Sequence, residues 1–264
     1  MFSKLIGAVL IIIGIAGLIL PIVPGILLIM AGILLLTKNR PVVDWAWVKE
    51  ELKKREKICS GGGNERDAAI TKSLDESLLK AKALSKPDHI HTVKKIAAIG
   101  EDFIELEGGA RFSAGKIAGY IKGAGHIVIF LATIGERIEN AAGELTKGKE
   151  PLEGYLLDRL GSFAVESLAE SVEKKIRKDY SILKKSVSRR YSPGYCDWPI
   201  EEQRILAGVL DFSKIGVTLN ENCMMSPKKS ISAIVAIADE GVFTESGSTC
   251  GVCEKKDCSY RRVN

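Results

Sequence analysis

An apolar run near the N-terminus, Leu5–Leu36, contains no charged residue and sets the first limit on the fold. A straight helix of this length would extend about 48 Å, whereas the hydrocarbon core of a bilayer is about 30 Å thick. The centre of the run reads Pro21-Ile22-Val23-Pro24-Gly25, and prolines and glycines at such a position end a helix. The run therefore predicts an N-terminal transmembrane helical hairpin with arms at Leu5–Leu20 and Ile26–Leu36.

The charges that flank this run indicate its orientation. Lys4 precedes it, and Lys38 and Arg40 follow it; positive charge is enriched on the cytoplasmic side of membrane proteins. The run also resembles the small bacterial membrane hairpins of the Pro-Gly-Pro-Gly-Trp type. We therefore predict that residues 1–40 anchor the protein in the membrane and that its soluble domain is cytoplasmic. The alternatives are a single tilted span and a signal peptide, although the run is longer than a typical signal-peptide core.

Residues 41–64 are predicted to form a juxtamembrane helix followed by a linker. Trp45 and Trp47 occur where interfacial aromatic residues usually lie. The charged stretch Val48–Ile58 fits either a helix on the membrane surface or a solvated helix. Ser60–Asn64 is rich in glycine, which is typical of a flexible linker, and we place the start of the soluble domain after it.

The next residues, 65–245, are predicted to form an α+β domain. An unbroken apolar stretch, His126–Thr133, indicates a buried strand, and Leu152–Lys178 has the periodicity of a long amphipathic helix. Glu166 and the other acids of that helix are predicted to be solvated. Helices and strands that do not alternate regularly favour this fold class. The further predicted strands are His89–Val93, Ile104–Leu106, Lys214–Leu219 and Ser230–Ala238, and the further helices are Glu65–Ser85, Gly115–Lys122, Glu136–Leu145 and Glu201–Leu210.

A turn motif within this domain, Arg190-Tyr191-Ser192-Pro193-Gly194-Tyr195, is suited to binding a ligand. Proline lacks an amide hydrogen and glycine allows a positive φ, so the turn can expose backbone groups. Arg190 can hold a carboxylate through two parallel hydrogen bonds. Ser192 and Gly194 can offer backbone hydrogen bonds, and Tyr195 can pack on the ligand. An ordinary proline turn is the alternative interpretation.

This motif and the segment Ile215–Ser232 together resemble the activation domain of cobalamin-dependent methionine synthase, over roughly residues 65–240. An Arg-x-x-Pro-Gly-Tyr-type motif binds S-adenosylmethionine in that family. The resemblance implies an antiparallel sheet with packed helices. It also implies that S-adenosylmethionine is bound by four residues of the motif, namely Arg190, Ser192, Gly194 and Tyr195. Asp158, Asp197 and Glu221 are unranked candidates for a carboxylate near the sulfonium.

The same resemblance implies the partners. They are a corrinoid protein, which would be reductively methylated, and a flavodoxin- or ferredoxin-like electron donor. The sequence contains no Asp-x-His-x-x-Gly cobalamin-binding motif and no room for separate methyltransferase modules. We therefore expect cobalamin only on a partner protein, and leave open whether the chain is an enzyme by itself.

A cysteine cluster lies in the C-terminal tail, residues 246–264. Cys250, Cys253 and Cys258 have the spacing C-x2-C-x4-C, and thiolates so placed can share zinc or an iron–sulfur cluster. A closed tetrahedral site needs one more ligand, for which the candidates are Cys59, Cys196, Cys223, water or a partner. Free thiols in a flexible tail are the alternative. Six cysteines in 264 residues do not make a disulfide scaffold, which favours a reducing compartment.

Charge and composition narrow the remaining functions. The formal net charge is +5, and no basic patch is interleaved with aromatic residues, so nucleic acid is not an expected partner. His89 and His91 form a His-x-His pair, for which a structural role is favoured over metal binding. The alternative to an S-adenosylmethionine-binding activation module is an iron–sulfur or zinc redox adaptor at the membrane. A third hypothesis is an adaptor that keeps the fold but has lost the ligand.

Overall fold

The computed structural model of the protein describes residues 40–58 and 65–243, together with Val9 and Ile11. Three predictions lie outside these residues: the membrane hairpin, the glycine-rich linker and the C-terminal cysteine cluster. In the part of the chain that is described, no helix is both long and apolar enough to cross a bilayer.

The chain divides into two compact units, Met1–Pro41 and Val42–Asn264. The second unit has an α+β fold with one six-stranded antiparallel sheet, as predicted. Its helices are α1 (Trp45–Glu56), α2 (Glu65–Leu84), α3 (Lys116–Tyr120), α4 (Arg137–Lys147), α5 (Pro151–Ser181) and α6 (Gln203–Val209). Its strands are β1 (Asp88–Ile99), β2 (Phe103–Leu106), β3 (Arg111–Ser113), β4 (His126–Thr133), β5 (Lys185–Val187), β6 (Thr218–Leu219), β7 (Met225–Ser226) and β8 (Ser230–Asp239).

The six-stranded sheet has the strand order β3-β2-β1-β4-β8-β5. Strand β4 lies at its centre and pairs with β1 and β8, with Ile129 opposite Ile234. Both β4 and β8 are buried along almost their whole length, which explains why β4 reads as a continuous apolar run rather than an alternating one. Strands β6 and β7 form a separate hairpin that leads into β8.

Helix α5 packs beside the sheet and supports three other helices. It begins with Pro151 in its first turn, a position where proline costs no hydrogen bond. Its buried face contacts α1, α2 and α4 along its N-terminal half and the sheet along its C-terminal half. The predicted helix, Leu152–Lys178, is therefore confirmed with slightly longer ends.

Helix α1 belongs to the same compact unit as the sheet. The Asp44 side chain caps it by accepting hydrogen bonds from two backbone amides of its first turn. Val48 and Leu52, four residues apart on one face, are fully buried in a core that includes Leu160 of α5. The structure thus differs from the expectation that the domain begins only after Ser60–Asn64.

The region predicted as a strand over Lys214–Leu219 begins inside a short 3-10 helix, Phe212–Ile215. The Asp211 side chain accepts a hydrogen bond from Ser213 N–H and so starts the turn, and Gly216, with φ of 71°, ends it. Only Thr218–Leu219 remains for strand pairing. The other boundary differences are small, except that β1 continues to Ile99 and that strands β3, β5 and β7 were not predicted.

Candidate functional site

A cavity of about 460 Å³ lies between α1, α5, the motif turn and the segment that connects β6 to β8. This volume lies in the usual range for small-molecule sites. Its walls are formed by Trp47, Glu51, Arg55, Arg159, Ser162, Phe163, Val165, Glu166, Arg190, Ser192, Pro193, Tyr195, Ile200, Gln203, Cys223, Met224, Met225, Lys228, Lys229, Ser230, Ile231 and Ser232. The two sequence segments that carry the family resemblance therefore meet at one cavity.

The motif turn is attached to the central part of the sheet. Tyr191 exchanges two backbone hydrogen bonds with Ile234 of β8, at 2.9 and 2.8 Å. Within the turn, Gly194 N–H donates to the carbonyl oxygen of Trp198 at 2.8 Å, and the φ of Gly194 is 88°. A side chain at this φ would be strained, so Gly194 shapes the turn. Gly194 is not among the residues that line the cavity.

Three of the four predicted ligand-binding residues do line the cavity: Arg190, Ser192 and Tyr195. Tyr195 is 46% exposed, so it borders the opening of the cavity. The Ser192 carbonyl oxygen accepts a hydrogen bond from Tyr195 N–H at 3.2 Å, which closes the turn between these two residues.

Arg190 and Glu166 form an ion pair in the cavity wall. Arg190 Nη2 lies 2.9 Å from Glu166 Oε2, and the two side chains are 15% and 27% exposed. Burial acts to lower the pKa of Arg190, but the nearby carboxylates of Glu166 and Glu173 outweigh it, so the pKa is raised and the guanidinium stays charged. Glu166 was predicted to be a solvated residue of the helix, whereas the structure places it at the site.

A second wall is formed by the loop around Cys223. Gln203 holds this loop to β8, because its Nε2 donates to the carbonyl oxygen of Cys223 at 2.7 Å and its Oε1 accepts from Ser232 Oγ at 3.0 Å. Arg204 Nε donates to Cys223 Sγ at 3.0 Å, which is the main cause of the raised pKa of Arg204. The Cys223 side chain is 2% exposed. Met224 and Met225, which follow Cys223, also line the cavity.

A third wall comes from α1 and was missed by sequence reasoning. Trp47 packs edge-on against Phe163 of α5, with ring centroids 6.5 Å apart. Glu51 and Arg55 form an ion pair at 2.8 Å on the same face of α1. The available signal was the spacing of Trp47, Glu51 and Arg55, which follow one another at four-residue intervals and so share a helix face. The tryptophan was instead interpreted as a residue of the membrane interface.

The other sequence candidates lie outside this cavity. Asp158 forms an ion pair with Lys229 at 2.7 Å, and Asp197 lies 3.7 Å from Lys116. Glu221 contributes its carbonyl oxygen to a hydrogen bond from Arg204. Glu166 is therefore the carboxylate that the structure brings into contact with the motif arginine.

The histidine pair also lies elsewhere, on β1, where the two rings stack with centroids 6.4 Å apart. Among the described residues, no three or more histidine, cysteine or acidic side chains are grouped so that they could hold a metal ion.

Comparison with known proteins identifies a family and a solved structure of similar fold. The family model for the vitamin B12-dependent methionine synthase activation domain matches residues 117–248, half of the chain. A crystal structure of the MetH reactivation domain bound to AdoHcy is similar in fold, with a TM-score of 0.53 and 17% sequence identity. The alignment covers 75% of this chain and 80% of that one. No curated protein matches this chain. The family match begins after α1, so the third wall of the cavity lies outside it.

Proposed function

Since this chain belongs to the family of vitamin B12-dependent methionine synthase activation domains, we propose that it binds S-adenosylmethionine in the cavity and supports reductive methylation of a corrinoid on a partner protein. The observation that carries this proposal is the Arg190–Glu166 pair in the cavity wall. The AdoHcy bound to the similar MetH structure supports a ligand of this class.

The Arg190–Glu166 pair matches the charges of the methionine end of the ligand. That end carries a carboxylate and an ammonium group on one carbon atom. A guanidinium binds a carboxylate in a planar, directional way, and a carboxylate accepts charge-assisted hydrogen bonds from an ammonium group. Because Arg190 and Glu166 already lie 2.9 Å apart, both contacts can form with little rearrangement of the two side chains.

The aromatic side chains around the cavity suit the rest of the ligand. Tyr195 borders the opening, and Trp47 with Phe163 forms an aromatic corner on the α1 side. Aromatic faces attract cations and offer flat surfaces for stacking. The proposed arrangement places the sulfonium and the adenosine between these rings, with the methionine end on Arg190.

The chemistry then requires little of the protein beyond binding and orientation. When bound, S-adenosylmethionine supplies the methyl group, and an electron donor of the flavodoxin or ferredoxin type supplies one electron. The residues of this chain hold the methionine end and exclude water from it. The methyl group then points to the opening of the cavity, where Tyr195, Ile200 and Met224 are exposed. The corrinoid is proposed to approach from that side on its own carrier protein.

The same proposal includes the anchor and the tail. Residues 1–40 are proposed to hold the protein in the membrane as a hairpin, with the domain in the cytoplasm, on the basis of the uncharged apolar run and its basic flanks. The C-x2-C-x4-C spacing of Cys250, Cys253 and Cys258 supports the second candidate function, in which the tail holds zinc or an iron–sulfur cluster and the protein acts as a redox adaptor.

Isothermal titration of the full chain in detergent with S-adenosylmethionine tests the binding proposal. We expect wild type to bind, and Arg190→Ala to bind about 30-fold more weakly or worse, because a charge-assisted contact is lost. Arg189→Ala is the matched control, since Arg189 does not line the cavity.

The two possible failures can be told apart. Absence of binding by wild type would refute the ligand. Unchanged binding by Arg190→Ala would refute the site but not the ligand. For the second candidate function, protein purified without oxygen that contains neither zinc nor iron would refute a metal-binding tail.

A further inference from the structure

An exposed apolar tip follows the end of α5. Ile182 and Leu183 are 75% and 64% exposed. Hydrogen bonds fix the backbone here, because Leu183 N–H donates to the carbonyl oxygen of Tyr180 and Lys184 N–H to that of Ser181, both at 3.0 Å. Two adjacent large aliphatic side chains held in solvent form a patch of the kind that marks an interaction surface.

Basic side chains surround this tip. Residues 174–185 contain six lysines and arginines but one acidic residue, Asp179. Lys178 lies one helical turn before Ile182 on the same face of α5. Four of these six basic residues pair with carboxylates: Lys174 with Glu170 at 3.8 Å, Lys175 with Asp179 at 2.5 Å, Arg177 with Glu173 at 3.0 Å and Lys185 with Asp239 at 2.5 Å. Lys178 and Lys184 are the two that remain beside the tip. The surroundings of the tip therefore favour an anionic partner.

The path of the N-terminal chain leads to the same end of α5. Asp44 N–H donates to Ser167 Oγ at 2.8 Å, and Val42 N–H donates to Ser171 Oγ at 3.1 Å. Val42 therefore lies about one helical turn closer to the C-terminal end of α5 than Asp44 does, on the way to Ile182. Ser171, Lys178 and Ile182 are spaced at i, i+7 and i+11, so they share one stripe of the helix, about 16 Å long.

We propose that Val42, Ile182 and Leu183, with Lys178 and Lys184 beside them, form a membrane-facing surface that contacts an anionic lipid bilayer. Val42 is itself 62% exposed. Aliphatic side chains enter the boundary between headgroups and acyl chains, and lysines are attracted to anionic headgroups. The proposal rests on the membrane anchor proposed above but not on S-adenosylmethionine binding.

This surface gives the domain a defined orientation. The side chains of α5 that line the cavity extend from Arg159 to Glu166. Glu166 lies sixteen residues before Ile182, which corresponds to about 24 Å along the helix axis. With the membrane-facing surface on the bilayer, the Arg190–Glu166 pair is held clear of the lipid. The proposed site then stays accessible to a soluble partner.

Tryptophan quenching by brominated lipids tests the contact in the full chain. Ile182→Trp is reconstituted into vesicles of zwitterionic lipid with and without phosphatidylglycerol, and the signal of the wild-type tryptophans is subtracted. The matched control is Leu79→Trp on α2, where the native side chain is 67% exposed. In anionic vesicles we expect the added tryptophan at 182 to be quenched at least about twofold more than that at 79, as for side chains at the headgroup boundary.

Charge reversal tests the lysines. Lys178→Glu with Lys184→Glu should abolish the additional quenching at position 182 in anionic vesicles. The control pair, Lys80→Glu with Lys82→Glu, reverses two exposed lysines of α2 and should leave the quenching unchanged. Quenching that does not depend on the anionic lipid or on Lys178 and Lys184 would overturn the assignment of an anionic bilayer.

Flotation of the same vesicles distinguishes a failure of the membrane-facing surface from a failure of the membrane anchor. If the protein floats with the vesicles but position 182 is quenched no more than position 79, the membrane-facing surface is wrong and the anchor stands. That outcome is also expected if the tip contacts a protein instead. If the protein does not float, the anchor and the surface both fail. Titration of the same preparation with S-adenosylmethionine tests the ligand proposal independently.

Discussion

At the scale of single residues, the binding proposal depends most on the contact between Arg190 and Glu166. A partly buried ion pair contributes little net stability, because desolvation offsets much of the attraction. Its value at this position is that two opposite charges are held 2.9 Å apart beside an open cavity. Such an arrangement suits a ligand that carries both charges on adjacent groups, as an amino acid does.

We predict that Glu166→Gln weakens S-adenosylmethionine binding by about tenfold, because the ligand ammonium loses a charge-assisted acceptor. The raised pKa of Arg190 keeps its guanidinium charged between about pH 6 and 9, so titration of Arg190 adds no pH dependence to this loss. Glu170→Gln is the control, since Glu170 lies one turn further along α5 and pairs with Lys174. Equal effects of the two variants in a titration would contradict this role for Glu166.

We also predict that S-adenosylmethionine protects Cys223 from alkylation. The thiol lines the cavity, is 2% exposed and accepts a hydrogen bond from Arg204, so a bound ligand should block the route of the reagent. Peptide mass spectrometry after timed treatment with iodoacetamide gives the rate at each cysteine. Cys196 does not line the cavity and serves as the internal control. The same alkylation rate at Cys223 with and without ligand would place the ligand elsewhere.

At the scale of elements, α1 is both part of the core and part of the site. Val48 and Leu52 face α5, whereas Trp47, Glu51 and Arg55 face the cavity. The ends of the helix are tied to α5 as well, through Asp44 at the start and through Glu56, which pairs with Arg159 at 2.9 Å, at the end. One short helix therefore couples the stability of the domain to the shape of the binding site.

We predict that Leu52→Ala lowers the free energy of unfolding by about 2–5 kcal/mol, the usual cost of removing a fully buried leucine. Leu79→Ala should change it by less than about 0.5 kcal/mol, because Leu79 is mostly exposed. Denaturant unfolding of both variants, followed by circular dichroism, checks the comparison. Similar small losses for both would show that α1 is not firmly packed in solution.

At the scale of the whole molecule, every residue that lines the cavity lies within the compact unit Val42–Asn264. Binding should therefore not require the proposed membrane anchor, residues 1–40. Helix α1 lies before the glycine-rich linker, so a fragment that begins after this linker lacks one wall of the site.

We predict that a fragment beginning at Val42 binds S-adenosylmethionine within about threefold of the full chain, whereas a fragment beginning at Glu65 binds at least about tenfold more weakly, since it lacks the aromatic and charged contacts of α1. Titration of the two fragments, each shown to be folded by circular dichroism, gives the comparison. If both fragments bound equally well, α1 would be dispensable for the site.

Much of the fold was predictable, because local patterns report it directly. The apolar run of β4, the periodicity of α5 and the strand Ser230–Ala238 all correspond to observed elements. The errors occur where a few tertiary contacts override a weak local signal. Strands β3 and β5 are three residues each and are defined by pairing with their neighbours. A segment of that length has too little periodicity to be recognised alone.

Local pattern and residue identity were enough to predict the α+β class, the family resemblance and the motif that supplies Arg190. Three features are visible only in the folded domain: Glu166 faces this arginine, α1 closes the cavity, and Gly194 shapes the turn rather than lining the site. The first two depend on contacts between segments far apart in the chain, and the third depends on the positive φ of Gly194. The spacing of residues along one helix shows which of them share a face, but the neighbouring elements decide whether that face meets solvent, core or ligand.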